Sequence, residues 1–330
     1  MEKPVGLCYN IHIKTMNGGF VMRKQLVTLM LTIIFCLNAV VPGFAASVNV
    51  PAADKIKAME VMLYGNAQEG SLIERMDAIE YDVNGLMTSE PILERIDVMY
   101  KYLQGASVEG EASFATRLNM VEWRINESMS GGPAKARIEA VEKLLNGKAD
   151  DGALSTRLEE LLEVVSYEGG VVPVQQVTLP KDSVIKIEFT QEIGNKISKV
   201  GDEVGFKAAD NLYVNDVLVL PKGATGVGKV KKVVQPGMFG KDGRVDVEFM
   251  HINGTDGTKI PVLVGELAEQ QAKSYAGAAG AAIGGMIILG PVGVIGGAFV
   301  KGSSITIPEG SVTYVQTSED VTMQGVVYTE

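Results

Sequence analysis

Cysteine and histidine are scarce in this sequence, and their scarcity limits the chemistry available to it. The 330 residues include two cysteines, Cys8 and Cys36, and two histidines, of which only His251 lies beyond residue 45. Disulfides and the usual zinc sites need these residues. A Ser-His-Asp triad would have to use His251, which lies in a predicted strand beside a hairpin turn. We therefore predict no catalytic residue, no metal site and no cofactor.

Positive charge is also in deficit, since 30 basic residues face 40 acidic ones and the formal net charge is −10. Without a basic stripe, nucleic acid is not expected as a partner. Residues 223–229 resemble a phosphate-binding loop, but Val230 stands where a Ser or Thr must bind Mg²⁺. A long helix should follow such a loop, yet Pro236 interrupts the sequence soon after. Nucleotide binding is therefore not expected either.

The N-terminal region has the plan of a secretory signal peptide. Arg23 and Lys24 precede a mostly apolar run over residues 25–41, and Gly43 and Ala45 supply small residues for cleavage after Ala45. Residues 1–21 fit this plan poorly, so Met22 is the expected start, with a long genuine N-terminus as the alternative. We predict that residues 1–45 are removed on export, which leaves a chain without cysteine.

A repeat of about 20 residues fills the next part of the chain, residues 46–168. Basic residues recur at spacings of 20, 20, 22, 20 and 20, at Lys55, Arg75, Arg95, Arg117, Arg137 and Arg157. Apolar residues stand at offsets −3, +1, +4 and +8 from these positions. Alternating steps of four and three place them in one narrow, coiled-coil-like stripe on a helix. Each unit is therefore predicted to be a helix of about 13 residues followed by a short polar loop.

The predicted helices must stack or pair, because a narrow stripe on a short helix cannot bury a core alone. Residues 52–168 hold 12 basic and 22 acidic residues, which suggests a solvated acidic spacer. For the recurring basic residue we favour a structural ion pair with Glu80, Glu122 or Glu142 on a neighbouring helix over a ligand contact. The single Trp123 is interpreted as a packing residue.

Beyond residue 169 the sequence changes to a β-rich pattern that an apolar, glycine-rich segment interrupts. Residues 184–189 and 245–249 alternate apolar and polar side chains, and Pro-containing turns recur on both sides of the segment. The segment, residues 276–300, carries no charge, and Gly290-Pro291 can turn it into a helical hairpin. The residues expected to mediate membrane contact or self-association are Gly280, Gly284, Ile287, Gly293, Ile295 and Gly297.

With its signal peptide and its paired Gly-x-x-x-Gly steps, the chain resembles the exported glycine-zipper proteins of bacterial envelopes. The resemblance covers the signal and about 25 residues of zipper, and residues 181–267 look like β domains found beside such zippers. It implies residence in the envelope, in the periplasm or at the outer membrane, but no reaction.

These observations predict an α+β protein: coiled-coil-like short-helix repeats, then a mainly antiparallel barrel or sandwich over residues 169–330 with the hairpin inserted. The expected function is that of a non-enzymatic structural or interaction protein of the cell envelope. Its helical repeats would act as a spacer, and the β domain would dock to membrane lipid, to a second copy, or to an envelope protein. The alternative is a soluble periplasmic or cell-surface binding module with the hairpin as internal core.

Overall fold

The computed structural model describes residues 50–104, 111–167, 171–237, 243–279, 294–296 and 304–327. The described residues from Pro51 onward belong to one compact unit. The predicted signal peptide lies outside the described residues, as do most of the zipper positions. Within the described ranges the fold is α+β, as the sequence predicts, with short helices followed by a mainly antiparallel β region.

Six short helices form the first half, each built on one copy of the sequence repeat. Five have 13 residues and the last has 11, and they are α1 (Ala52–Tyr64), α2 (Leu72–Asn84), α3 (Ile92–Gln104), α4 (Phe114–Asn126), α5 (Ala134–Asn146) and α6 (Leu154–Val164). Ser71 and Glu74 form the predicted capping box at the start of α2. Gly65, Gly85 and Gly147 end three of the helices in the left-handed conformation that glycine tolerates best.

The repeated apolar stripe forms the core of the helical half. Side chains one and four residues after each basic position are all at most 5% exposed. The outer offsets are less regular, because Leu72 and Leu145 are 38% and 40% exposed. Each helix contacts the next one along the chain; in addition, α1 contacts α3 and α5, and α2 contacts α6. The six helices therefore stack around a shared core, as short helices with narrow stripes must.

The β region is built on a closed six-stranded antiparallel barrel. Its strands, in order around the barrel, are β8, β7, β4, β2, β12 and β9, and β9 pairs again with β8. Their bounds are β2 (Val184–Phe189), β4 (Glu203–Ala208), β7 (Thr225–Val234), β8 (Arg244–Asn253), β9 (Lys259–Leu263) and β12 (Val312–Thr317). Alternate residues, such as Ile185, Ile187 and Phe189 on β2, are buried in the core. Of the two predicted architectures, the structure has the barrel.

Smaller elements surround this barrel. A second sheet has the order β1 (Val174–Leu179), β13 (Val321–Val327), β6 (Val217–Leu220) and β5 (Leu212–Val214). A two-stranded pair joins β3 (Ile193–Gly194) to β11 (Thr306–Ile307). Helix α7 (Glu266–Ala279) packs against β2 and β12, and strand β10 (Val294–Gly296) adds to β8. In the described residues, no helix is both long and apolar enough to cross a membrane.

The helices contact the β region chiefly through α4 and the residues that follow it. The Asn119 side chain donates to the Thr255 carbonyl at 3.3 Å, and Trp123 Nε1 donates to Asn211 Oδ1 at 3.0 Å. Leu218 and Val326 of the second sheet belong to the same apolar cluster as the helical core. The helical repeats and the β region are therefore joined by packing as well as by the chain.

The glycine-rich segment differs from its prediction where it can be described. Its second arm was expected to be helical, but Val294–Gly296 form strand β10, paired antiparallel with Asp246–Arg244. That expectation is wrong for these three residues, because an open backbone edge at the start of β8 takes them into the sheet. Residues 276–279, at the start of the first arm, are the end of helix α7. The arm residues 280–293 and 297–300 lie outside the described residues.

Candidate functional site: repeated ion pairs and a two-ended barrel

One arginine–glutamate pair recurs at the junctions between consecutive helices. The arginine lies 15 residues after the glutamate and donates two hydrogen bonds, through Nε and Nη2, to the two carboxylate oxygens. The four pairs are Arg75–Glu60, Arg95–Glu80, Arg137–Glu122 and Arg157–Glu142, with Nη2–Oε2 distances of 2.6 or 2.7 Å. We call these four pairs the arginine ladder.

Each glutamate of the ladder also accepts a backbone hydrogen bond from the loop that follows its helix. The donor lies eight residues after the glutamate in every case, and the four donors are the N–H groups of Gln68, Thr88, Ser130 and Asp150. Burial alone would raise the pKa of Glu60 and Glu80, but hydrogen bonds from the arginine and the loop outweigh it and lower both pKa values. The ladder thus fixes both the neighbouring helix and the loop.

The exceptions to the ladder lie at its middle and its ends. Arg117 has no glutamate 15 residues before it, and its Nη2 instead donates to the Tyr102 hydroxyl at 2.7 Å. Lys55, in the first of the described helices, pairs with Asp97 of α3 at 2.7 Å. In α6, which no further repeat follows, the glutamate position is taken by the fully buried Leu162. Terminal units that differ from internal ones are typical of repeat proteins.

The six basic positions singled out in the sequence therefore bind acidic or phenolic side chains within the helical stack. Three of the four ladder glutamates, Glu80, Glu122 and Glu142, were predicted from the sequence as partners of the arginines. The fourth, Glu60, and the N–H donors of the loops were not predicted. The constant separations of 15 residues to the arginine and eight to the loop donor are readable in the sequence, and they would have identified both.

Residues with possible chemical roles in the barrel are held in structural contacts. Asp246 and Glu248 pair with Arg244 and Lys231 at 2.9 and 3.6 Å. Burial and the charge of Lys259 lower the pKa of His251, which favours its neutral form. Residues of the phosphate-loop-like motif continue into strand β7 rather than into a helix. No group of three metal-binding side chains is found among the described residues.

A cavity of about 410 Å³ lies on the β region near α7. Its lining includes Lys186 and Asp210, whose charged atoms are 3.3 Å apart, together with Gln271 and Tyr314. A mixed polar and apolar lining of this kind suits a small ligand with hydrogen-bonding groups. The sequence contained no signal for it, because its residues come from four separated parts of the chain.

The described residues place the helical repeats and strand β10, a short part of the glycine-rich segment, at opposite ends of strand β8. At one end, Arg244–Asp246 pair with β10. At the other end β8 leads to Thr255, whose carbonyl accepts the Asn119 hydrogen bond from α4. Nine steps of about 3.3 Å separate Arg244 from Asn253, or roughly 30 Å. We call these the zipper end and the helical end of the barrel.

Asn195 fixes the chain at the zipper end. This side chain is 1% exposed, donates to Gln235 Oε1 at 2.9 Å and accepts from the Ile305 N–H at 2.7 Å. Gln235 in turn donates to the Asn195 carbonyl. The chain that leaves the glycine-rich segment is thereby held beside the β7–β8 connection. Of the six predicted self-association residues, Ile295 lies in β10 opposite Val245, and the five glycine and isoleucine positions at 280, 284, 287, 293 and 297 lie outside the described residues.

Comparison with known proteins does not identify a family for this chain. No family model and no curated protein matches the chain. Among solved structures, ComB10 of the Com type IV secretion system of Helicobacter pylori aligns with 44% of this chain and 90% of its own, at 13% identity and a TM-score of 0.25. A similarity this low carries no argument about function.

Proposed function

We propose that this protein is a non-enzymatic structural or interaction protein of the bacterial cell envelope. In this proposal the zipper end of the barrel docks to membrane lipid, and the helical repeats extend from the opposite end toward a partner or a second copy. The observation that carries the proposal is the attachment of an uncharged, glycine-rich segment at the zipper end, roughly 30 Å along β8 from the contact with α4.

The arginine ladder supports the spacer role of the helices. A spacer has to keep its length, and each described ladder junction ties a helix and its following loop to the next helix by two or more hydrogen bonds. These nearest-neighbour ties add to the shared apolar core in holding the shape of the stack. The residual acidity of the stack keeps it solvated.

Flotation of the exported chain on liposomes tests the docking role. The wild-type protein should float with vesicles, and Ile287→Asp should reduce flotation, because a charge in hydrocarbon is costly. Gly280→Leu with Gly284→Leu should impair close helix contact of the first arm while keeping the segment apolar. Tyr81→Asp, at a 61% exposed position on α2, is the matched control and should float like the wild type.

The alternative, a soluble binding module, is favoured by two other observations. Strand β10 draws part of the glycine-rich segment into the barrel sheet, and the cavity beside α7 could hold a small ligand. A wild-type chain that stays soluble and monomeric without lipid or detergent would reject the docking proposal and favour this module. Cell fractionation of the tagged protein gives an independent measure of its location.

A further inference from the structure

The loop between β3 and β4 is the most informative feature of the zipper end that the docking proposal does not use. This loop, residues 195–201, is tightly built at its base. The N–H groups of Ile197 and Ser198 both donate to the Gly194 carbonyl, at 3.2 and 2.8 Å, and Ser198 Oγ accepts from the Gly194 N–H at 3.1 Å. At its other side, the Gly201 N–H donates to the Val230 carbonyl at 2.8 Å.

Two apolar side chains of the loop are exposed to solvent although its base is tightly hydrogen-bonded. Ile197 is 52% exposed and Val200 is 67% exposed, whereas Ile193 at the base is 1% exposed. Lys196 directly precedes Ile197, Lys199 directly precedes Val200, and both lysines are also exposed. Of the neighbouring acids, Asp202 accepts a hydrogen bond from the Lys199 backbone N–H at 2.7 Å, while Glu192 and Glu203 are exposed. A tightly bonded turn in which Lys196 and Lys199 alternate with the exposed Ile197 and Val200 needs a reason outside the local fold.

The location of the loop supplies that reason. Asn195, its first residue, binds both Gln235, just beyond β7, and Ile305, where the chain returns from the glycine-rich segment. The loop therefore lies at the zipper end and not at the helical end. A surface that met the barrel at β10 and Ile305 would also meet this loop.

We propose that the Lys196–Val200 loop is a second membrane anchor, which binds the surface of a bilayer that contains anionic lipid; this inference rests on the docking role proposed above. Ile197 and Val200 enter the boundary between headgroups and acyl chains, and Lys196 and Lys199 contact the lipid phosphates. Paired apolar and basic side chains are the combination that interfacial binding requires. The lysines make the anchor selective for negative charge, which the uncharged glycine-rich segment cannot do.

Vesicle flotation of the full exported chain tests the anchor with two lipid compositions, phosphatidylcholine alone and phosphatidylcholine with phosphatidylglycerol. The wild type should bind the anionic vesicles more tightly, and salt should weaken that preference. Lys196→Gln with Lys199→Gln should reduce binding to anionic vesicles by about fivefold per lysine and leave binding to neutral vesicles unchanged. Ile197→Ser with Val200→Ser should reduce binding to both, by roughly tenfold.

Ile73→Ser with Leu93→Ser is the matched control, because these side chains are 56% and 62% exposed on the helices. This control should bind like the wild type, and circular dichroism should show that the control and both loop variants are folded. Flotation that is intact in both loop variants would overturn the anchor and leave the glycine-rich segment as the docking element. A wild type that floats with neither composition would overturn both proposals. Loss of a protein partner in the loop variants, with flotation unchanged, would reject lipid as the occupant.

Discussion

Truncating Glu142 should destabilise the protein more than any change at its surface charges. The Glu142 and Arg157 side chains are 2% and 6% exposed, and two hydrogen bonds of 2.7 and 2.6 Å join them. Glu142→Ala leaves this guanidinium buried without its carboxylate, and it removes the acceptor of the Asp150 N–H. Breaking a buried pair from one side costs about 3–5 kcal/mol. For a unit of this size, that loss lowers the melting temperature by roughly 6–15 °C.

Urea unfolding and thermal melting, both followed by circular dichroism, measure this cost. Glu139→Ala is the matched control, because Glu139 pairs with Lys143 on the surface of the same helix at 3.7 Å, and such pairs contribute less than about 1 kcal/mol. Glu142→Leu with Arg157→Leu should recover most of the loss, since no unpaired charge remains. If Glu142→Ala cost no more than Glu139→Ala, the ladder would not stabilise the stack.

Three further predictions follow from the same structure. The pKa values of Glu60 and Glu80 are lowered in the folded state, so their contribution to stability is complete above the unfolded value of about 4.5 and is lost as the pH falls through the folded values. The urea concentration at the midpoint of unfolding should therefore decrease as the pH is lowered from 7. The decrease should be less steep in Glu80→Gln, which has no carboxylate to protonate at this position. Arg117→Ala should lower the free energy of unfolding, measured in urea, by about 1–2 kcal/mol, because the partner of Arg117 is a neutral hydroxyl. This loss should be smaller than the loss from Glu142→Ala, and an equal loss would contradict the distinction. Gly226→Ala should cost about 1–3 kcal/mol in thermal unfolding, because the added methyl group would overlap the Phe206 ring, and an unchanged melting temperature would argue against the barrel packing.

The local patterns of the sequence were enough to predict the helices and the class of the β region. A helical stripe and its capping residues depend on neighbours within a few positions, so Ser71, Glu74 and Gly65 could be interpreted without tertiary information. The recurring arginine likewise predicted an ion pair, because its regular spacing can be seen in the sequence itself.

What the sequence could not predict depends on long-range partners. Leu145 follows the stripe pattern yet is 40% exposed, because the positions of other helices decide which side of a helix end is covered. Val294–Gly296 read as part of a helix and instead pair with β8, because an available strand edge overrides local preference. The zipper end itself is defined by Asn195, Gln235 and Ile305, which no sequence period brings together.

The pairing of β1 with β13 limits when the protein can finish folding. Val174 pairs with Val326, roughly 150 residues later, and β2 cannot complete its place in the barrel before β12 has been made. Each rung of the arginine ladder closes over 15 residues, so the helices can assemble one after another on the growing chain. A chain interrupted before residue 312 would thus carry a largely formed helical stack beside β2 with one edge unpaired. That exposed edge could pair with other chains, which makes an incomplete copy of this protein a source of aggregation.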